Sequence, residues 1–238
     1  MNLLARELGF QALNAKIRNT SHDVIIDECY GERFIGAGAR SKTITVNGTP
    51  GNALGAYLDG ATIIVNGNAQ DAVGDTMNDG KIIVYGNTGD ALGYAMRGGK
   101  IFVKGYAGYR TGIHMKEYQD KKPVIVVGGS TGSFLGEYLA GGLIIVLGLD
   151  TDEFPAGYFT GAGMHGGEIF IRSSKPSKNM PKQVSVKTAQ EADLNRIKDN
   201  LEEFSELFGK SMNEIMGKTF YHLTPNARNP YKQLYTEN

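Results

Sequence analysis

The chain of 238 residues has one cysteine, no tryptophan, 7 prolines and no net charge, with 25 basic residues against 25 acidic ones. Each shortage excludes something. A single thiol, Cys29, forms no intrachain disulfide and cannot hold an iron–sulfur cluster, which needs three or four thiolates. No base partner stands near it in sequence, so a small, half-buried structural residue is the simpler reading than a nucleophile. A chain built to neutralise phosphates carries a basic excess; charge balance therefore argues against nucleic acid and against anionic membrane surfaces as partners. The longest apolar run, Leu143–Leu147, is far too short to span a bilayer. The opening MNLLARELGF interrupts its apolar residues with Arg6 and Glu7, unlike a secretory leader, so a cytoplasmic location is expected.

What is abundant is glycine, at 33 residues, about twice the usual share. It is periodic. Gly36, Gly55, Gly74, Gly93 and Gly112 follow each other at 19 residues, as do Gly48, Gly67, Gly86 and Gly105. Ile44, Ile63, Ile82 and Ile101 keep the same step, inside β-branched runs that suit short buried strands. The step then lengthens consistently. Ile101 to Ile125 and Gly112 to Gly136 are both 24, an insertion within 113–124; Ile144 to Ile169 and Gly136 to Gly161 are both 25, an insertion within 149–160. Extending the step backwards from Ile44 gives eight rungs, at Ile25, Ile44, Ile63, Ile82, Ile101, Ile125, Ile144 and Ile169.

Each unit carries G-x-x-G-x-x-x-G after its strand: Gly48, Gly51 and Gly55; Gly86, Gly89 and Gly93; Gly105, Gly108 and Gly112; Gly129, Gly132 and Gly136. The unit with Gly67 and Gly74 has Gln70 in the middle position. A unit this short cannot bury its own strand, but stacking on its neighbour does so and pairs the backbones. These fourteen glycines are expected to be structural, where φ is positive or stacked backbones crowd. The pattern predicts an all-β core, a right-handed parallel β-helix, over 22–172. An N-terminal helical segment (1–21) and a linker with C-terminal helices and a packed tail (173–238) flank it. Residues 2–18 are predicted helical, with Leu4, Leu8 and Ala12 on one face. Thr188 and Glu191 are read as a capping box, Leu194, Ile197, Leu201, Phe204 and Phe208 as a helical stripe, Gly209 as its stop, and Ser211 with Glu214 as the start of a short helix. The segments 2–18 and 190–208 are expected to cap the exposed strand edges at the two ends of the coil.

Several motifs fall short of a site. Gly36-Ala-Gly38-Ala-Arg-Ser resembles a dinucleotide turn, but no βαβ unit follows, and membership of the glycine repeat explains it better. Gly209-Lys-Ser and Gly217-Lys-Thr end like phosphate loops, yet the first glycine each requires is Phe204 or Met212. His22, His114, His165 and His222 show no metal-ligand spacing. Asp59 and Asp79 fall near matching positions, but Arg97 follows in the next unit, which reads as turn chemistry rather than a catalytic carboxylate pair. No residue is assigned a catalytic, cofactor-binding or metal-binding role. Insertions on a solenoid often carry the binding face, which makes His114, with Lys116 and Glu117 beside it, and His165 candidate partner contacts; Glu137 and Tyr138 are the others.

The repeat, together with GGSTGSFLGEYLAGGLIIVLGL (128–149), GMHGGEIFIR (163–172), GIHMKEY (112–118) and NPYKQLY (229–235), resembles the C-terminal domain of the glutamate synthase large subunit over about residues 10–236. That resemblance implies a right-handed β-helix without catalytic residues, standing as a separate chain. It also implies two partners: a glutamine amidotransferase chain and an FMN-binding synthase chain, with FMN and an iron–sulfur cluster on the partners and none here. Residue 2 is asparagine, so no N-terminal cysteine is present to hydrolyse glutamine. The same coil resembles the corresponding subunits of N-methylglutamate synthase and of formylmethanofuran dehydrogenase, and an independent binding module or self-association stays open.

Overall fold

The computed structural model describes residues 1–176 and 180–226. In chain order the elements are β1 (Asn2–Leu4), α1 (Ala5–Asn19), β2 (Val24–Tyr30), β3 (Thr43–Thr49), β4 (Asp59–Asn66), β5 (Asp79–Val84), β6 (Lys100–Val103), β7 (Val124–Val127), β8 (Ala140–Val146), β9 (Gly166–Ser173), β10 (Val184–Thr188), α2 (Glu191–Phe208), α3 (Met212–Met216) and β11 (Thr219–Pro225). The strands form one open sheet of eleven, ordered β1 through β9, then β11, then β10. Neighbours from β1 to β9 pair in parallel; β11 is antiparallel to both β9 and β10. The chain is mostly β, with an all-β core.

The isoleucine register holds from Ile44 onward: Ile44 faces Ile63, then Ile82, Ile101, Ile125, Ile144 and Ile169. The first rung is displaced. Ile44 pairs with Val24, so Val24 and Ile26 point into the core and Ile25 is 40% exposed. A one-residue slip moves every side chain to the other face. The step of 19 returns at Cys29↔Gly48, after an irregularity at which Glu28 takes a φ of 55°.

A second parallel ladder runs along the turns, through Ala69, Thr88, Ala107, Thr131 and Ala156. Polar side chains tie successive turns. Asn68 Oδ1 accepts from the Asn87 N–H at 2.8 Å, and Asn87 Oδ1 from the Tyr106 N–H at 2.8 Å. Asp71 and Asp90 do the same for the Asp90 and Tyr109 amides. This is the turn chemistry expected of these carboxylates. Asp59 and Asp79 do face each other, but Arg40 holds the first at 2.6 Å and Lys121 the second at 2.8 Å.

Two kinds of crowding account for the glycines. At Gly67 φ is unremarkable, but a β-carbon would strike the Gly48 carbonyl oxygen of the turn before. At Gly136, φ is 63°, and a β-carbon would lie 2.6 Å from Ile169 Cδ1. Phe134, two residues earlier, has a φ of 64°. The left-handed conformation is thus shared by residues with and without side chains, and the inward contact is what separates them.

The sheet is buried on both faces from β5 to β9, which explains runs such as Val124–Val127 with no polar alternation. One face forms the main core around Ile63, Ile82, Ile101, Ile125 and Ile144. The other, with Phe102, Val126, Ile145 and Phe170, packs on Ile197, Leu201, Phe204 and Phe208 of α2. The α2 stripe is therefore buried as its spacing indicates, but against the flank of the sheet. The edge of β9 is covered by β11 instead. Lys81 and Lys100 both reach Glu203 of α2, the latter at 2.7 Å.

Three local expectations are corrected. Residues 2–4 form a strand rather than a helical turn, and α1 breaks at Gly9, whose φ of 66° and ψ of 163° are not helical. The break shifts the phase, so Leu13 and Ile17 are buried while Leu4 and Ala12 are exposed. The capping box is Gln190 with Asp193, because Thr188 ends β10 and is paired with Tyr221. Gly209 ends α2 in the left-handed conformation, and Ser211 Oγ accepts from the Glu214 N–H at 3.1 Å. Of the tail, residues through Pro225 lie in β11; the NPYKQLY segment lies outside the described residues.

Candidate functional site

Each turn places residues with positive φ at three positions two apart. Phe134, Gly136 and Tyr138 are one set; Arg110, Gly112 and His114 are the set before it. The middle position faces the core. The outer two face away from it and build ladders of side chains: Phe34, Ala53, Ala72, Ala91, Arg110, Phe134 and Phe159 in one, Tyr57, Thr76, Ala95, His114 and Tyr138 in the other. The early turns carry mostly small residues at these positions and the later turns carry large ones.

The result is a stacked aromatic surface on the later turns. Phe134 and Phe159 stack at 5.1 Å with an interplanar angle of 19°. The Arg110 guanidinium lies 5.2 Å from the Phe134 ring centroid and 3.2 Å from the Glu137 carboxylate. His114 stacks on Tyr138 at 5.1 Å and 9°, and meets Tyr94 edge-on at 5.9 Å. The His114 amide donates to the Glu137 carbonyl at 2.9 Å. Tyr109 and Tyr158 flank the stack, 51% and 70% exposed. Exposed apolar area of this kind, rimmed by polar groups, marks interaction sites, and cation–π pairs add about 0.5–1 kcal/mol at such positions.

The six candidate contacts do not all meet here. His114, Glu137 and Tyr138 do. His114 lies on the regular ladder and not in the insertion. Lys116 donates its amide to Met96 O at 3.0 Å, which keeps the ordinary step, so the extra residues begin after it. They close on themselves through the mutual backbone bonds of Tyr118 and Lys121. Glu117 has a structural bond, accepting from the Gly142 N–H at 3.1 Å. His165 holds the Gly163 carbonyl at 3.2 Å through Nδ1. The later insertion falls before Ala156, since the Thr131↔Ala156 bridge already carries the longer step. Sequence reading missed Arg110, Phe134 and Phe159. The steps of 24 and 25 that align the glycines also align these three, and applying them to the non-glycine positions finds the stack.

Titratable groups elsewhere serve structure. Burial first, then a hydrogen bond to Glu32, pushes the Cys29 thiol up to about 12; it is fully buried, so no thiolate nucleophile is available at neutral pH. The hydrogen bond from His222 holds Glu168 below the usual carboxylate range against burial. Among the described residues no group of three His, Cys, Asp or Glu side chains could hold a metal, and no helix is long and apolar enough to cross a membrane.

The sheet of repeated parallel strands with glycine at its turns defines a repeat protein. The chain belongs to the GXGXG motif family, whose model matches residues 5–227. It is also 40% identical, over 247 aligned positions covering 98% of this chain and 95% of the other, to an uncharacterized protein of Methanocaldococcus jannaschii. The resemblance to the glutamate synthase domain thus agrees with the family match.

Proposed function

We propose that this chain is a non-catalytic scaffolding subunit of a multi-chain glutamate synthase, a right-handed parallel β-helix that positions a glutamine amidotransferase chain against an FMN-binding synthase chain. The GXGXG family match across residues 5–227 carries this reading. The stacked register supports it physically. Strands joined turn by turn through backbone and side-chain ladders make a stiff body, and stiffness is what a spacer between two active sites requires. A misplacement of about 1 Å between reacting parts can cost roughly 100-fold in rate. The aromatic surface around Arg110, Phe134 and Phe159 offers one partner a docking face. The flavin and the iron–sulfur cluster belong to the partner chains on this reading; the only thiol here is buried and held neutral. The transfer from family to function is by analogy, and its test is direct. The tagged chain, drawn from its native cells, brings down an amidotransferase and a flavin synthase. Molybdopterin subunits in their place, or the chain alone, would overturn it.

A further inference from the structure

The first turn of the repeat has no turn beneath it. In every later turn two amides donate to carbonyl oxygens of the turn before: Gly55 to Ile35 at 2.8 Å and Asp59 to Ala39 at 3.0 Å, then Gly74 to Leu54 and Asn78 to Leu58, both at 2.8 Å. The matching donors in the first turn are the amides of Gly36 and Arg40. Neither has an acceptor among the described residues.

Both line a cavity of about 270 Å³ between this turn and α1, walled on the helix side by Asn14, Ile17 and Arg18. The charged residues of its wall are Arg18, Arg40 and Lys42, with no carboxylate among them. Arg40 is paired with Asp59 at 2.6 Å, and Lys42 rests its ammonium on the Ile17 and Thr20 carbonyls at the end of α1. Arg18 has no ion-pair partner among the described residues. The turn also leaves space. Where the next five turns carry Tyr57, Thr76, Ala95, His114 and Tyr138, the first has Gly38, as the last has Gly163, and a β-carbon built at Gly38 meets nothing within 4 Å. Those residues take similar positive φ values, so backbone conformation alone does not demand glycine at this position.

Unpaired amides beside guanidinium and ammonium groups form an anion-binding concavity. We infer that this end of the molecule is an oxyanion site that takes a phosphate group. The Gly36 and Arg40 amides and the Arg18 guanidinium all belong to its lining, and this number of donors suits the several oxygens of phosphate better than the two of a carboxylate. The site is independent of the scaffolding reading. Isothermal titration of the full chain with inorganic phosphate, at ionic strength matched with chloride, tests it. Saturable binding is expected, weakened at least tenfold by Arg18→Ala, an exposed position, and by Gly38→Ala, which adds a methyl to a lining residue at a ladder position that elsewhere accepts alanine. Unchanged circular dichroism of the two variants confirms their fold. Absence of saturable binding, equal affinity for acetate, or wild-type affinity in both variants would overturn the inference.

Discussion

Replacing Gly136 by alanine separates the two demands that the repeat makes on its glycines. The backbone demand is a φ of 63°, which costs an ordinary residue about 1–2 kcal/mol. The packing demand is the Ile169 Cδ1 atom, 2.6 Å from the new β-carbon, with Ile144 Cδ1 behind at 3.6 Å. Overpacking of this kind costs about 1–3 kcal/mol. Ile169→Val removes the offending methyl at a cost of its own of about 0.5–1.5 kcal/mol. The account predicts that the two substitutions are coupled. Gly136→Ala should cost roughly 2–5 kcal/mol in the parent, and about 1 kcal/mol or more less in the Ile169→Val background. Urea unfolding of the four proteins, followed by far-ultraviolet circular dichroism, gives the cycle. Equal costs in both backgrounds would show that the isoleucine contact does not set this glycine. Phe134, at nearly the same φ, supplies the control: Phe134→Ala keeps the backbone class and should leave the core unchanged.

The other expectations concern the flank and the buried thiol. Phe204→Ala should cost about 3–5 kcal/mol, because the ring is fully buried and lies over Gly128, where a β-carbon would come 2.7 Å from its Cζ; a surface-like loss below about 0.5 kcal/mol in urea unfolding would contradict the packing. Burial opposes ionisation of Glu203, but Lys100 and Lys81 outweigh it and hold its pKa below the ordinary 4.5. A depressed carboxylate stabilises the fold above its unfolded pKa and loses that contribution as pH falls through the folded one. Glu203→Gln should therefore lower the unfolding midpoint at neutral pH and converge with the parent in acid below about 4.5; a constant difference across that range would refute the ion pairs. Cys29 should resist a disulfide exchange reagent in the native protein and react fully in denaturant, and rapid native modification would contradict its burial.

The repeat was legible because its signal is redundant: glycines and isoleucines report one register in parallel series. The edges were less so. Ile25 satisfies the step of 19 from Ile44 but sits beyond the one-residue irregularity near Glu28, and nothing in a spacing reveals an irregularity between rungs. Gly9 likewise reset the phase of α1, so the face drawn through Leu4 and Ala12 is the exposed one. The α2 stripe was visible from period alone, but period says that a helix buries one face and is silent on the partner. Its location on the flank could have been suspected from runs such as Val124–Val127, which bury both faces and so require a second layer. The candidate surface was half legible. The insertion pointed to His114, which does stack on Tyr138, for a reason other than the insertion itself. Arg110, Phe134 and Phe159 lie on the same register but carry neither of the residue types, glycine and isoleucine, that make it visible.

The scaffolding claim is tested most directly by the coupling of two reactions. With the chain combined with the amidotransferase and flavin synthase proposed as its partners, glutamine consumed and glutamate formed from 2-oxoglutarate are measured together, with and without this chain. The account predicts that each partner keeps its own half-reaction alone and that the two rates become linked only when the chain is present, with the linkage weakened by Phe134→Ala together with Phe159→Ala. Full coupling in the absence of the chain would contradict it.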